Sequence, residues 1–238
     1  MGVSTAAGAK FYMGTTALVG ATDTYTEIGQ VTTISEFGRV YKEIVFTPLS
    51  SRADQKFKGS YNDGGVDLSM GRDSSDAGQV LLRAALDVDS DYNFKYVPND
   101  AVPAVSVVGV SMTAASPGVV TDTAHGLAVN TPVTLVPVGA GILPTGIVSG
   151  TTYYVKTVLT ADTYTLSATA GGTAINTTGS PSGTITRTTV PQPSQQLMKG
   201  KVMSYTNNNG SIDNVIQAAV KISLKSGSIV ETAKIPLA

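Results

Sequence analysis

The stretch from residue 30 to residue 70 constrains the fold most, because it holds two strand-like segments that no ordinary turn can join. Apolar side chains recur in a polar run over residues 31–37. At the far end, Val66, Leu68 and Met70 alternate with polar residues. This alternation is typical of a strand with one face buried. The connection between the two segments is far longer than the 2–5 residues of most hairpin loops.

That connection, residues 38–65 and called the arm below, has a composition unlike that of a free loop. Charged residues, prolines and glycines are mixed in it with large apolar side chains. Long loops in compact domains are usually either functional or disordered. Two interpretations stand at this point, an arm that docks on another subunit and a plain surface loop. On the first, five residues are predicted to contact the neighbouring subunit: Ile44, Phe46, Leu49, Arg52 and Phe57.

The bulk composition excludes several classes of protein. The chain has 238 residues, 42% of them hydrophobic, which is enough to bury a core. A net charge of −1 implies no general attraction to nucleic acid or to anionic membranes. The absence of cysteine excludes disulfides and thiolate metal sites. No apolar run has the length of a bilayer, and no signal-peptide pattern is visible, so we expect folding in a bacterial cytoplasm without membrane insertion.

Outside the arm, the pattern predicts mainly strands and one helix. The helix is predicted over residues 76–86, with capping oxygens just before it. One apolar face repeats along it at helical spacing: Ala77, Leu81, Ala84, Ala85 and Val88. Strands are predicted at residues 92–96, 201–205 and 216–224, and a shorter one around Leu18. The apolar residues Ile229, Val230, Ile235 and Leu237 of the tail, residues 229–238, could add an edge strand or reach a neighbour.

A break in composition marks the segment from residue 104 to residue 189. It is rich in threonine, and its charged residues are Asp122, Lys156, Asp162 and Arg187. Short β-like runs alternate in it with turns that contain glycine and proline, as in a small all-β sandwich of the immunoglobulin-like kind. We therefore predict a discontinuous first domain, residues 1–103 and 190–238, with a domain inserted at 104–189. A flexible low-complexity loop is the alternative, although β-branched and aromatic runs disfavour it.

The residues that catalysis or metal binding would need are sparse. A histidine-dependent site would have to be built on His125, which lies in a turn-like sequence. The acidic run at 87–91 begins like a calcium loop, but Tyr92 and Pro98 stand where that loop needs glycine and glutamate. We therefore expect no enzyme activity, no cofactor and no dedicated metal site.

Several motifs outside the insert resemble those of the major tail tube proteins of long-tailed bacteriophages. They are Gly14-Thr15-Thr16, Tyr25 to Gly29, Val31 to Ile34, the Gly38-Arg39 entry to the arm, the strand Val66 to Met70 before the helix, the strand Tyr92 to Tyr96, and the final pair Gly200 to Tyr205 and Val215 to Gly227. The motifs are short, and their order along the chain is the stronger signal. The insert departs from the family, which has a tight hairpin there, and its sequence looks like β-sandwich modules of other phage structural proteins.

The resemblance implies a β-sandwich or split barrel with one flanking helix. It also implies hexameric rings that stack into a hollow tube in the virion, with the arm contacts lying between subunits or rings. DNA and the tape-measure protein would occupy the lumen, and tail tip and terminator proteins would bind the ends of the tube. A subunit built to join neighbours by strand addition would also need exposed strand edges.

Two further functions are compatible with parts of the sequence. The insert could be a surface-displayed module that binds a host glycan, with Tyr153, Tyr154 and Tyr164 as its exposed aromatic side chains. A tail-associated hydrolase would need paired carboxylates in a cleft. The insert has only two acidic residues, and the other acidic residues are predicted in turns and helix caps, so we disfavour the hydrolase.

Overall fold

The computed structural model of the chain describes residues 6–17, 23–50, 52–212, 214–232 and 234. These residues form a mainly β protein with a single helix among them, as the sequence predicts. The elements are β1 Lys10–Met13, β2 Thr26–Glu27, β3 Val31–Ile34, β4 Val40–Phe46, β5 Gln55–Asn62, β6 Gly65–Gly71, α1 Ala77–Leu86, β7 Tyr92–Val97, β8 Ser106–Met112, β9 Val119–Thr121, β10 Pro132–Pro137, β11 Thr152–Thr160, β12 Thr163–Ser167, β13 Ile185–Thr189, β14 Gln195–Asn208, β15 Gln217–Leu224 and β16 Val230–Thr232.

The chain divides into two compact units. The first contains the described residues of Met1–Asn99 and Gln195–Thr232, and the second contains Asp100–Ser194 with Lys234. The threonine-rich segment lies inside the second unit. The predicted strand around Leu18 lies outside the described residues, as do Ile235 and Leu237. The tail does add a strand, β16, which pairs with β14.

The first unit is built on an eight-stranded antiparallel sheet that curls back on itself. Its strand order is β2-β1-β7-β14-β15-β6-β3, and β16 also pairs with β14. The two outermost strands, β2 and β3, are separated in the chain by only three residues, which begin at Ile28. Ile28 N–H donates to the Phe11 carbonyl at 2.9 Å, and Gly71 N–H donates to the Gln30 carbonyl at 2.8 Å. One short stretch therefore bonds to both ends of the sheet, which must curve to bring them together.

The core of this unit follows the predicted alternation. In β6, Val66, Leu68 and Met70 are buried, and in the neighbouring β15 every second residue from Ala218 to Leu224 is buried. These strands pair in register, with Val220 opposite Leu68. The two apolar rows consequently lie on one face of the sheet and form a continuous core with Phe11, Phe94 and other side chains.

Helix α1 is fastened to this sheet by its first turn. Asp76 is the N-cap and accepts from Gln79 N–H at 2.8 Å, and its other oxygen accepts from Gly29 N–H at 3.2 Å. The fully buried Gln79 amide donates to the carbonyls of Gly29 and Gly71. A Cβ at Gly78 would lie 2.3 Å from the Glu27 carbonyl oxygen, so only glycine permits this approach.

The buried face of α1 is not the one that the apolar spacing marks. Gly78, Gln79, Leu82 and Ala85 are buried, whereas the predicted apolar residues other than Ala85 are exposed. The reason is the contact at Gly78 and Gln79, where backbone proximity and amide hydrogen bonds set the rotation of the helix. Its most regular apolar stripe therefore faces solvent.

The arm is itself regular structure rather than a loop. Strands β4 and β5 pair antiparallel, from Val40 opposite Asn62 to Phe46 opposite Gln55. They form a two-stranded sheet separate from the eight-stranded one. Nearly all of their residues are exposed. We call residues 40–62 the arm hairpin.

The second unit is a closed barrel, whereas the sequence predicts a sandwich. Six strands close in the order β10-β11-β12-β9-β8-β13, and β13 pairs with both β8 and β10. Register shifts interrupt the β11–β12 pair after Val155 and after Val158. Such irregularities bend a sheet and help it close. Composition and alternation are similar for barrels and sandwiches, because both bury one face of each strand.

Candidate assembly surface

The arm hairpin has two chemically different faces. Residues paired directly across the strands lie on one face, and alternate residues share it. Ile44 is opposite Phe57 and Phe46 is opposite Gln55, so three large apolar side chains share the first face. A Cβ at Gly59 would lie 3.1 Å from the Ile44 side chain, so this glycine leaves room for it. We call Ile44, Phe46 and Phe57 the apolar face of the hairpin.

The opposite face carries paired charges and tyrosines. Glu43 forms a salt bridge of 3.0 Å with Lys56. Lys58 lies over the ring of Tyr41, which in turn contacts the Tyr61 ring at a centroid distance of 5.5 Å. These groups satisfy one another within the hairpin. In contrast, Ile44, Phe46 and Phe57 each leave about half of their surface exposed.

A buried carboxylate holds the base of the hairpin. Arg39 donates from Nε to Asp63 Oδ1 at 2.9 Å and from Nη2 to Oδ2 at 3.5 Å. The Asp63 side chain is fully buried, and Gly227 N–H donates to it at 2.7 Å. The hydrogen bond from Arg39 lowers the pKa of Asp63 below its ordinary value. The guanidinium also lies 4.3 Å from the centre of the Tyr61 ring, so one residue links the sheet to the hairpin.

The five predicted contact residues occupy two places in this hairpin. Ile44, Phe46 and Phe57 are brought together on the apolar face and are each about half exposed. Leu49 is 109% exposed and lies with Arg52 in the connection between the strands. The ends of that connection are joined by Thr47, whose hydroxyl donates to Asp54 at 2.7 Å. The structure thus assembles three of the five residues into one surface and places the other two at the tip.

The sequence analysis missed Asp63, which positions the hairpin, and the exposed side of α1. Asp63 was visible only as one of several mixed charges in the arm. The spacing of the apolar residues in α1 was visible, but spacing alone does not tell which side of a helix meets the core.

A second feature of the first unit is an open groove beside an edge strand. The strand β3 stands at one end of the strand order and pairs only with β6 among the described strands. A groove of about 480 Å³ lies along it, lined by residues 31–37 and by Ala6, Ala9, Tyr96 and Gln196. An edge strand with space beside it can accept a further strand from another chain.

The residues considered above for catalysis and for glycan binding lie mostly inside the barrel. His125 is buried, its Nδ1 accepts from Leu127 N–H, and its ring packs edge-on against Tyr164. Tyr153 and Tyr164 are buried too, and Tyr154 is half-buried. These two buried tyrosines present no ring to solvent for stacking on a sugar.

The barrel also contains a buried ion pair. Arg187 Nε donates to Asp122 Oδ2 at 2.8 Å, and both side chains are nearly inaccessible to water. Burial raises the pKa of the neighbouring Tyr164 hydroxyl above its ordinary value. Within the described residues, no group of three or more histidine, aspartate or glutamate side chains is arranged to hold a metal ion.

Comparison with known proteins adds no further constraint. No protein-family model matches the chain, and no curated protein matches its sequence. Among the described residues, no helix has both the length and the apolar character needed to cross a bilayer.

Proposed function

We propose that this chain is the structural subunit of a phage tail tube, which assembles as hexameric rings stacked into a hollow conduit. The observation that carries the proposal is the arm hairpin, whose apolar face is exposed in the single chain. Fully burying a large apolar side chain contributes about 1.5–3 kcal/mol. Because the three side chains are each about half exposed, a partner that covers them gains roughly half of this from each. In a ring the same contact is repeated by symmetry.

The curled sheet supports the same proposal. The edge strand β3 and its groove offer a site for strand addition between neighbours. Short edge strands and charged residues usually protect a monomer from such pairing. In a tube subunit, an accessible edge is instead the joint to the next copy. On this proposal the fold of the first unit is of the tail tube type.

The charge of the chain suits the contents that we propose for the lumen. DNA binding depends on lysine and arginine side chains that neutralise phosphates. With 16 basic and 17 acidic residues, the chain has no excess of positive charge to retain DNA. DNA could therefore pass during ejection, and the tape-measure protein could occupy the lumen before it. The tail tip and terminator proteins would bind the two ends of the tube in the virion.

Electron microscopy of the purified protein tests this proposal directly. We expect six-membered rings or tubes in negative stain, and a concentration-dependent rise in light scattering as rings stack. The matched sample is the Phe46→Ser variant, which should give subunits or single rings only. A monodisperse monomer at every concentration, also in the presence of tail initiator proteins, would overturn the proposal.

A further inference from the structure

The connection between β14 and β15, residues 209–216, contains the one Asn-Gly pair of the sequence, Asn209-Gly210. Both residues are exposed. An open cavity of about 440 Å³ lies beside them, lined by residues that include Asn208, Gly210 and Asn214, so water reaches this turn. No hydrogen bond joins the Asn209 side chain to another described residue. This side chain is therefore free to rotate toward the peptide bond that follows it.

Gly210 supplies a backbone nitrogen that no side chain of its own shields. Its φ is 60°, in the left-handed region that favours glycine. Its N–H donates to Asn208 Oδ1 at 3.1 Å, the hydrogen bond of an Asx turn. The amide of Asn214, the other asparagine of this connection, instead donates to Ser211 Oγ at 3.0 Å. Within the described part of the connection, Asn209 alone combines a free side-chain amide with a glycine nitrogen next to it.

We propose that Asn209 is a site of spontaneous deamidation, with the Gly210 nitrogen as the nucleophile. After this nitrogen loses its proton to a base in the solvent, it bonds to Asn209 Cγ, and the Cγ–Nδ2 bond breaks. The Nδ2 group takes up a proton and leaves as ammonia, so that a five-membered succinimide ring joins the two residues. Glycine favours this attack, because it has no Cβ to crowd the ring.

Water then opens the ring at one of its two carbonyl carbons. Attack at the side-chain carbon gives aspartate. Attack at the main-chain carbon gives isoaspartate, in which the main chain runs through the former side chain. Either product has a carboxylate where the native chain has a neutral amide, so the end of the β14–β15 pair gains a negative charge. All of the reacting groups lie in one chain, and the reaction therefore does not depend on the proposed assembly.

The hydrogen bond to Asn208 restrains this reaction. The Gly210 nitrogen must lose its proton before it attacks, and an amide oxygen that accepts this hydrogen stabilises the protonated form. Removing the acceptor should increase the rate about two- to tenfold, which corresponds to the net contribution of one hydrogen bond. Asn208 is thus a positioning residue that slows the modification in the folded chain.

Peptide mapping of the native protein after prolonged incubation tests the site. Trypsin releases residues 202–221 as one peptide, which also contains Asn207, Asn208 and Asn214 as internal controls. We expect two products of equal mass, with aspartate or isoaspartate at position 209, and faster formation at mildly alkaline than at neutral pH. A sample digested without incubation corrects for deamidation during digestion. An unmodified peptide, modification first at a control asparagine, or aspartate without isoaspartate would overturn the proposal.

Three variants separate the chemistry from folding. Asn209→Gln should abolish the modification, because the longer side chain would have to close a less favourable six-membered ring. Asn208→Ala should accelerate it, whereas Asn208→Asp keeps an acceptor for the Gly210 N–H and should not exceed the native rate. All three change exposed side chains, so their thermal melts should equal that of the native chain. Equal rates in Asn208→Ala and the native chain would show that Asn208 does not restrain the reaction.

Discussion

At the scale of single residues, Asp63 holds the base of the candidate surface. Its carboxylate is buried and receives hydrogen bonds from Arg39 and from the backbone of Gly227. Removing a charged partner from a buried hydrogen bond leaves the other groups unsatisfied. Because Arg39 also lies against Tyr61, this loss would reach the base of the arm hairpin.

Replacing this carboxylate should therefore weaken the fold in a pH-dependent way. We expect Asp63→Asn to lower the free energy of unfolding by about 1–3 kcal/mol at pH 7. The folded state lowers the pKa of Asp63, so its contribution is present above the unfolded value of about 3.9 and is lost as pH falls below it. The difference between native chain and variant should accordingly shrink below about pH 4.

Urea unfolding at several pH values measures this difference. The control is Asp54→Asn, which changes an exposed carboxylate at the tip of the same hairpin and should alter the free energy by less than about 0.5 kcal/mol. An Asp63→Asn variant as stable as the native chain at pH 7 would contradict the role assigned to this carboxylate.

At the scale of elements, the arm hairpin and the helix have the same unusual property, an apolar face turned to solvent. In the hairpin the two faces differ sharply, because charges and tyrosines satisfy one another on one side only. Two neighbouring residues of β4 are therefore equally exposed but lie on opposite faces of the hairpin. Ile44 is 49% exposed on the apolar face, and Val45 is 50% exposed on the other.

This pair of positions separates assembly from stability. We expect both Ile44→Ser and Val45→Ser to leave the free energy of unfolding of the subunit, measured by thermal denaturation, within about 0.5 kcal/mol of the native value. Both side chains are about half exposed, so neither substitution should disturb the core. Only Ile44→Ser should prevent long tubes, because only its face is buried in the assembly. In the Val45→Ser variant, hydrogen exchange of the hairpin should be fast in free subunits and slow in tubes. In the Ile44→Ser variant, which forms no long tubes, the exchange should not become slow. Equal polymerisation of the two variants would show that the apolar face of the hairpin is not the one buried in the assembly.

At the scale of the whole molecule, the second unit is connected to the first by two chain crossings. The strands on either side of it, β7 and β14, pair directly, with Tyr96 opposite Gln196. The two ends to be joined after removal of the barrel are thus already neighbours in one sheet. The first unit has its own core, formed without any side chain from residues 104–189.

Deletion of the barrel should accordingly leave the first unit folded. We expect a chain with residues 104–189 replaced by a short Gly-Ser turn to be soluble and to melt cooperatively. It should still form rings or tubes, since the arm hairpin and the edge strand β3 both remain. Circular dichroism and microscopy measure the two properties. An insoluble variant, or a folded one that cannot assemble, would show that the barrel is part of the assembly rather than an addition to it.

Periodicity was enough to predict the local structure of much of this protein. The alternation in residues 66–70 and 218–224 predicts strands and their buried faces, because a strand repeats every two residues whatever surrounds it. The capping oxygens are predicted just before residue 76, whereas the N-cap is Asp76 itself, so the helix begins one residue later than predicted. The same local signals predict a mainly β protein with one helix.

Relations between residues that are distant in the chain are set by the tertiary structure and not by local patterns. Closure of six strands into a barrel depends on the pairing of β13 with two partners, which no local pattern encodes. The rotation of α1 depends on the close approach of Gly78 to Glu27, which overrides the apolar spacing of the helix and turns its stripe outward. Asp63 is likewise a surface-type residue by sequence, and it is buried because the fold brings Arg39 and Gly227 to it. Burial results from contacts far apart in the chain, so the sequence determined which side chains are apolar, and the fold determined which of them remain exposed.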